Sequence, residues 1–294
     1  MVLDISGTSL VLRAPAKVNL SLRILGRRPD GYHDLDTVMQ KLDLCDVVTL
    51  TLTDEPGIAL HCPDSDLPED CSNIVWRAAE TFLAVCEWGK GGVDITLEKN
   101  IPVAAGLGGG SSDAGTVLAG LNRLFGAGFS VEKLIAIARP LGADVPFFVT
   151  DHGAVRAEGI GDRMYPVQSL KNCTVVLANP GFSVSTRWVY EKYALTMIAK
   201  DSKLCDCQKN MAHNLPCAGG NDLERVTIYF YPEIEVLKQK LLNVGASSVL
   251  MSGSGPTVFG IFLDEHGGKS ALVRQAVQVL QQQKGVKVFV TQPV

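Results

Sequence analysis

The order of elements read from the sequence predicts an α+β fold. Strand-like and helix-like segments alternate, but without the regular β-α-β period that a doubly wound sheet requires. Hydrophobic residues make up 46% of the chain and charged residues 20%, the balance of a globular protein and not of a disordered one. The length of 294 residues suits one large domain or two modest ones.

The elements follow in order. Leu10 to Arg13 and Val18 to Leu25 are rich in β-formers or alternate apolar with polar, and Pro29-Asp30-Gly31 is a turn signal after them. Asp46 to Thr53 alternates strictly, as a half-buried strand does. Asn73 to Cys86 predicts a helix, with Asn73 or Ser72 as its cap and apolar residues at 75, 79, 82, 83 and 86. Val93 to Leu97 is a short strand. A glycine-rich loop then opens into a helix ending near Phe125, and a second helix covers Val131 to Leu141. The second half begins near Gly161. It predicts strands near 173–178, 247–251 and 256–263, and helices near 186–194, 221–230, 232–243 and 269–283. Residues 196–220 are polar, irregular and cysteine-rich, the composition of a surface insertion.

Composition excludes several classes. A net charge of −4 offers no broad surface for a nucleic-acid backbone. The amino terminus has no basic n-region with an apolar core, and no apolar run reaches the ~18 residues of a membrane span. The expectation is a cytoplasmic protein with no membrane partner. Eight scattered cysteines do not make a small disulfide scaffold. Cys205-Asp206-Cys207, with His213 and Cys217 nearby, lacks the spacing and second pair of a zinc site and reads as a reduced loop cluster.

The segment Gly106-Leu107-Gly108-Gly109-Gly110-Ser111-Ser112 carries the most chemistry. Glycines let backbone N–H groups approach one point, and a helix start adds unpaired N–H donors and the positive end of the dipole. Ser111 and Ser112 can cap the helix or touch phosphate. Such a loop binds a polyphosphate. It is not a Walker A loop: Gly268-Lys269-Ser270 imitates the end of that motif, but Leu263 stands where its first glycine belongs. It is not the dinucleotide fingerprint either, because Ser111 replaces the last glycine.

Three motifs occur in order: Pro15-Ala16-Lys17-Val18-Asn19, Pro102 to Ser112, and Ser252-Gly253-Ser254-Gly255-Pro256. This set resembles the superfamily of galactokinase, homoserine kinase, mevalonate kinase and phosphomevalonate kinase, the GHMP kinases. Asp30-Gly31-Tyr32-His33 and Leu141-Gly142-Ala143-Asp144-Val145-Pro146 bring it nearest the branch whose acceptor is a cytidylated methylerythritol, phosphorylated on its 2-hydroxyl for isoprenoid precursor synthesis. The resemblance spans residues 14 to 260. It implies two domains, an S5-like nucleotide domain over residues 1–160 and a ferredoxin-like substrate domain over 161–294. It implies ATP with Mg²⁺ as cofactor, without identifying metal ligands, and a small-molecule substrate for a monomer or homodimer. The alternatives are a GHMP kinase of the homoserine or mevalonate type, or a nucleotide-binding sensor without catalysis.

Roles follow from the same resemblance. Asp144 alone reads as a turn aspartate; the match makes it the base that accepts the hydroxyl proton. Lys17 would pair with it, and Asn19, on the same strand face, would bond the same substrate. Pro102 and residues 106–112 would hold the nucleotide phosphates. Asn73 and Lys99 would lie near the adenine, although Asn73 serves equally as a helix cap. Tyr32 and Tyr190 would flank the cytosine ring, with His33 and Thr186 bonding its edge.

Overall fold

The computed structural model describes residues 2–86, 91–198, 220–263 and 269–294. In chain order the elements are β1 (Val2–Ser6), β2 (Ser9–Arg27), β3 (His33–Thr53), β4 (Gly57–His61), α1 (Ile74–Cys86), β5 (Gly92–Glu98), α2 (Gly109–Leu124), α3 (Val131–Ala138), α4 (Val145–Phe148), β6 (Ala154–Gly159), β7 (Arg163–Pro166), β8 (Cys173–Asn179), α5 (Thr186–Ile198), α6 (Glu224–Phe230), α7 (Glu233–Asn243), β9 (Ser248–Met251), β10 (Val258–Leu263), α8 (Lys269–Gln281) and β11 (Lys287–Thr291). The class is α+β. The chain gathers into two compact units built from interleaved segments.

The first unit comprises residues 1–16, 44–102 and 108–152. Here β1 pairs antiparallel with the start of β2, the end of β3 pairs antiparallel with β5, and β4 runs parallel to β5. Alternation decides which side is apolar: Val48 and Leu50 of β3 and Val93, Ile95 and Leu97 of β5 are buried. Against them pack Val75, Ala78, Ala79 and Phe82 of α1, Val117, Leu118 and Leu121 of α2, and Leu134 and Ile137 of α3. These helical positions recur every three or four residues, the stripe a helix needs to cover a sheet.

The second unit comprises residues 17–43, 103–107 and 153–294. Its first part sets the start of β3 antiparallel to β6, from Leu35↔Gly159 to Gln40↔Ala154, with β7 on the far side of β6. Its second part is an antiparallel sheet of order β11-β8-β10-β9. Every residue of β8 is buried, which explains its continuous apolar run, Cys173-Thr174-Val175-Val176-Leu177-Ala178. Val176, Ala178, Val258 and Phe262 of this sheet pack with Ile234, Leu237 and Leu241 of α7 and Val273, Ala276 and Leu280 of α8.

Some expected elements change. The strand expected at 46–53 is the end of one that begins at His33. Thr37, Gln40 and Lys41 hide it from a hydrophobic pattern because they are polar and buried. Gln40 makes this possible: its Nε2 lies 3.0 to 3.1 Å from the carbonyls of Lys41, Gly153 and Val294, and its Oε1 accepts from Leu170 N. Directly after Asp144 stands the short helix α4, with Pro146 in its first turn, and β6 follows it. The expected helix at 221–230 starts at Glu224, because Asn221 forms a bridge with Leu22. The cysteine cluster at 205, 207 and 217, His213, and most of the irregular 196–220 stretch lie outside the described residues.

Candidate active site

Lys17 and Asn19 lie two residues apart on β2, so their side chains share a face, and both are 4% exposed. A buried ammonium needs acceptors. Lys17 Nζ donates to Asn19 Oδ1 at 2.6 Å and to the Gly106 carbonyl at 3.2 Å. Asn19 Nδ2 donates to Thr37 Oγ1 at 2.9 Å, and Lys17 N donates to the Leu107 carbonyl at 2.9 Å. Ser252 Oγ donates to the same Gly106 carbonyl at 2.8 Å. Asn221 Nδ2 holds the carbonyls of Met251 and Gly253, fixing the turn that carries Ser252. Three stretches remote in sequence, 17–19, 105–107 and 251–257, thus meet within the second unit. The close fit demands glycine at 106: its φ is +77°, and a Cβ there would stand 2.2 Å from the Ser252 carbonyl oxygen.

In the first unit, α2 begins at Gly109, preceded by Gly108 in the left-handed region at φ 71° with no side-chain cap. Ser112 N donates to the Gly108 carbonyl at 2.8 Å. The N–H groups of Gly109, Gly110 and Ser111 precede the first such bond, so the helix ladder does not use them. Ser112 Oγ is buried and has no hydrogen-bond partner.

Lys99, at the end of β5, is also buried. Its ammonium pairs with Asp46 and, at 2.6 Å, with Asp113 Oδ2. Asp46 Oδ1 further accepts from Asn100 N at 2.6 Å and Ile101 N at 2.8 Å. Asp113 Oδ1 has no partner. Burial pushes the Asp113 carboxyl up to about 8; the Lys99 charge opposes that rise and the Asp46 charge adds to it. Burial opposes the Lys99 charge, but Asp113 and Asp46 outweigh it and hold its pKa above the usual lysine value.

Asn73 caps α1: its Oδ1 accepts from Val75 N at 2.9 Å and its Nδ2 donates to the Pro68 carbonyl at 2.8 Å. Pro102 ends the first unit's middle segment, half-buried. Asp144 sits half-buried at the N-cap position of α4, without a side-chain capping bond, and so is not spent on that helix. Asp144 belongs to the first unit and Lys17 to the second.

In the second unit the His33 ring stacks on Tyr190 of α5, with centroids 5.3 Å apart and 29° between planes, and meets the edge of Tyr193 at 6.5 Å. Burial, followed by the nearby Arg27 charge, lowers the His33 pKa and favours the neutral ring. Tyr32 is 61% exposed, its N–H on Asp30 Oδ1. Thr186 Oγ1 bonds Ser254 Oγ at 2.8 Å.

Sequence reasoning left Asp46 and Asn221 without assigned roles, and gave Ser252 only its place in the third motif. Asp46 carried a signal: it stands in phase with Val48 and Leu50, so a carboxylate was due to face the core. Ser252 bonds a residue 146 positions away, and no local pattern reports that.

These features and this fold define a small-molecule kinase. Models of the GHMP kinases N terminal domain and the GHMP kinases C terminal domain match residues 73–152 and 205–282. The chain is 49% identical to a 4-diphosphocytidyl-2-C-methyl-D-erythritol kinase of Desulfotalea psychrophila, over 98% of this chain and 96% of that one. It is 48% identical to the like-named protein of Geobacter metallireducens, over 90% and 92%. A crystal structure of 4-(cytidine 5'-diphospho)-2C-methyl-D-erythritol kinase superposes with a TM-score of 0.73 at 32% identity, covering 96% of this chain and 98% of that one. The chain belongs to the 4-diphosphocytidyl-2-C-methyl-D-erythritol kinase family of GHMP kinases. A homoserine kinase of Cytophaga hutchinsonii, 17% identical with a TM-score of 0.70, shares the fold.

Proposed function

We propose that this chain transfers the terminal phosphoryl group of ATP to the 2-hydroxyl of 4-diphosphocytidyl-2-C-methyl-D-erythritol. The observation that carries the choice of acceptor is near-full-length identity to relatives of that name. The His33–Tyr190 stack favours an aromatic base over homoserine or mevalonate, which offer none.

ATP suits the residues present. Unused N–H groups at the start of α2, the left-handed Gly108 and the unpartnered Ser112 hydroxyl are the donors a phosphate chain needs. Pro102, Gly106, Leu107, Gly108, Gly109, Gly110, Ser111 and Ser112 hold it in this reading, with Lys99 and Asn73 toward the adenine. Asn73 keeps its capping bonds while doing so. ATP supplies the transferable phosphoryl group, and Mg²⁺ arrives with the nucleotide. In this reading Asp144 takes the hydroxyl proton, Lys17 is the second catalytic group, and Asn19 orients the acceptor. Tyr32 and Tyr190 hold the base while His33 and Thr186 bond its edge. Binding gathered at that remote group orients the reacting hydroxyl.

The two matched family segments fall on either side of the 160/161 boundary and support a nucleotide domain and a substrate domain. No helix among the described residues is long and apolar enough to cross a membrane, and in this reading the chain works in the cytoplasm as a monomer or homodimer. The test is ADP release with four acceptors: the cytidylated substrate, homoserine, mevalonate and methylerythritol phosphate. A clear preference in kcat/KM for the first is expected. Equal or better rates on any other refute the assignment, and binding without turnover on all four favours a sensor.

A further inference from the structure

The Lys99 cluster has an uneven composition: two carboxylates share one ammonium, and all three side chains are less than 10% exposed. With both carboxylates ionised it would bury a net negative charge one turn inside α2, beside the start of the helix. That charge is costly to bury and would repel a polyphosphate.

The hydrogen bonds show which carboxyl relieves it. Asp46 accepts from Lys99, Asn100 N and Ile101 N, three donors on one carboxyl group. Asp113 accepts from Lys99 alone, and its other oxygen has no partner. Among the described residues, Lys99 is the one cation that acts on the Asp113 carboxyl. Residues of α1 and α3 facing the core are Val75, Ala78, Ala79, Phe82, Leu134, Ile137 and Ala138, and α4 is Val-Pro-Phe-Phe. Beyond Lys99 and Asp46, the neighbouring titratable groups are the Cys62 thiol and Glu69. Burial, then Glu69 and Asp113, raise the Cys62 pKa, and Lys99 opposes that rise.

We propose that Asp113 is a positioning residue which carries a proton in the Lys99–Asp46–Asp113 cluster, and that this proton lets the nucleotide phosphates approach the start of α2. The inference rests on the phosphate-binding reading of residues 106–112. The neutral cluster fixes Lys99 without opposing the ligand; the deprotonated cluster keeps Lys99 in place but adds a negative charge. Nucleotide binding above the Asp113 pKa therefore takes up one proton. The elevated carboxyl pKa agrees with this assignment.

The experiment is calorimetric titration of the whole protein with ADP between about pH 7.5 and about pH 9.5, in buffers of different ionisation enthalpy. The window straddles the Asp113 value. Wild-type affinity should be flat at the lower end and weaken toward about tenfold per pH unit at the upper end, with proton uptake approaching one. Asp113→Asn, which mimics the protonated carboxyl, should bind ADP without slope or uptake. ADP binding with a flat wild-type profile, or an equal slope in the variant, overturns this inference alone. If the variant does not fold, wild-type proton uptake decides: its absence overturns the proposal. No ADP binding at any pH overturns the phosphate reading and this inference with it.

Discussion

At the scale of single residues, Asp144 is a carboxylate kept out of ordinary helix duty. It occupies an N-cap position, yet makes no capping bond to α4. Asp144→Asn keeps its shape and removes the proposed base, so turnover should fall by roughly 10²–10⁴-fold. ADP affinity should stay unchanged, since in the proposed function Asp144 serves the acceptor. Near-normal turnover in steady-state assays would falsify the base assignment. Asn73 shows that one residue can satisfy a structural reading completely: its bonds to Val75 N and Pro68 O are those of a helix cap. Any contribution to nucleotide binding comes on top of that role.

At the scale of elements, the glycine loop is held from behind by other motifs. Lys17 and Ser252 both donate to the Gly106 carbonyl. In a trans peptide the following N–H points the opposite way, so these bonds fix the orientation of Leu107 N–H. Gly106→Ala places a Cβ against the Ser252 carbonyl at a positive φ. A loss of about 1–3 kcal/mol in urea unfolding is expected, with weaker ADP binding. An alanine variant that matches wild type in both would show that the loop does not need this backbone geometry.

The helix after the loop was legible from its periodicity, and Gly109–Leu124 agrees with that reading. The network behind the loop was not, because its bonds join residues 89 and 146 positions apart. Early β3 was hidden for another reason. Gln40 and Lys41 look solvent-facing by composition, and for Gln40 only its tertiary partners offset the cost of burial. Motifs therefore indicated candidate site residues, while the reason Lys17 can be buried had to come from the fold.

At the scale of the whole molecule, Asp113 links stability to pH. Its folded value of about 8 lies above the unfolded value of about 3.9. Below the unfolded value both states hold the proton. As pH rises from about 4 to about 8, only the unfolded state releases it, so Asp113 lowers stability across that window, by at most about 1.4 kcal/mol per pH unit. Asp113→Asn should gain stability relative to wild type as pH rises through the same window and level off above it. Thermal unfolding of both proteins at several pH values tests the sign; a constant difference would place the carboxyl's titration elsewhere.

Gln40 Nε2 donates to the Val294 carbonyl and Val294 N donates to the Lys41 carbonyl, so β3 reaches forward to residue 294. During synthesis, every segment of the first unit has been made by residue 152. The second unit must wait: β8 gains β11, and Gln40 gains its Val294 acceptor, only once residues 287–294 have left the ribosome. At the usual ~5–20 residues per second, one unit has several seconds to fold before the other has all its parts. A buried glutamine in β3 thus makes residues 287–294 a late step in the assembly of its unit.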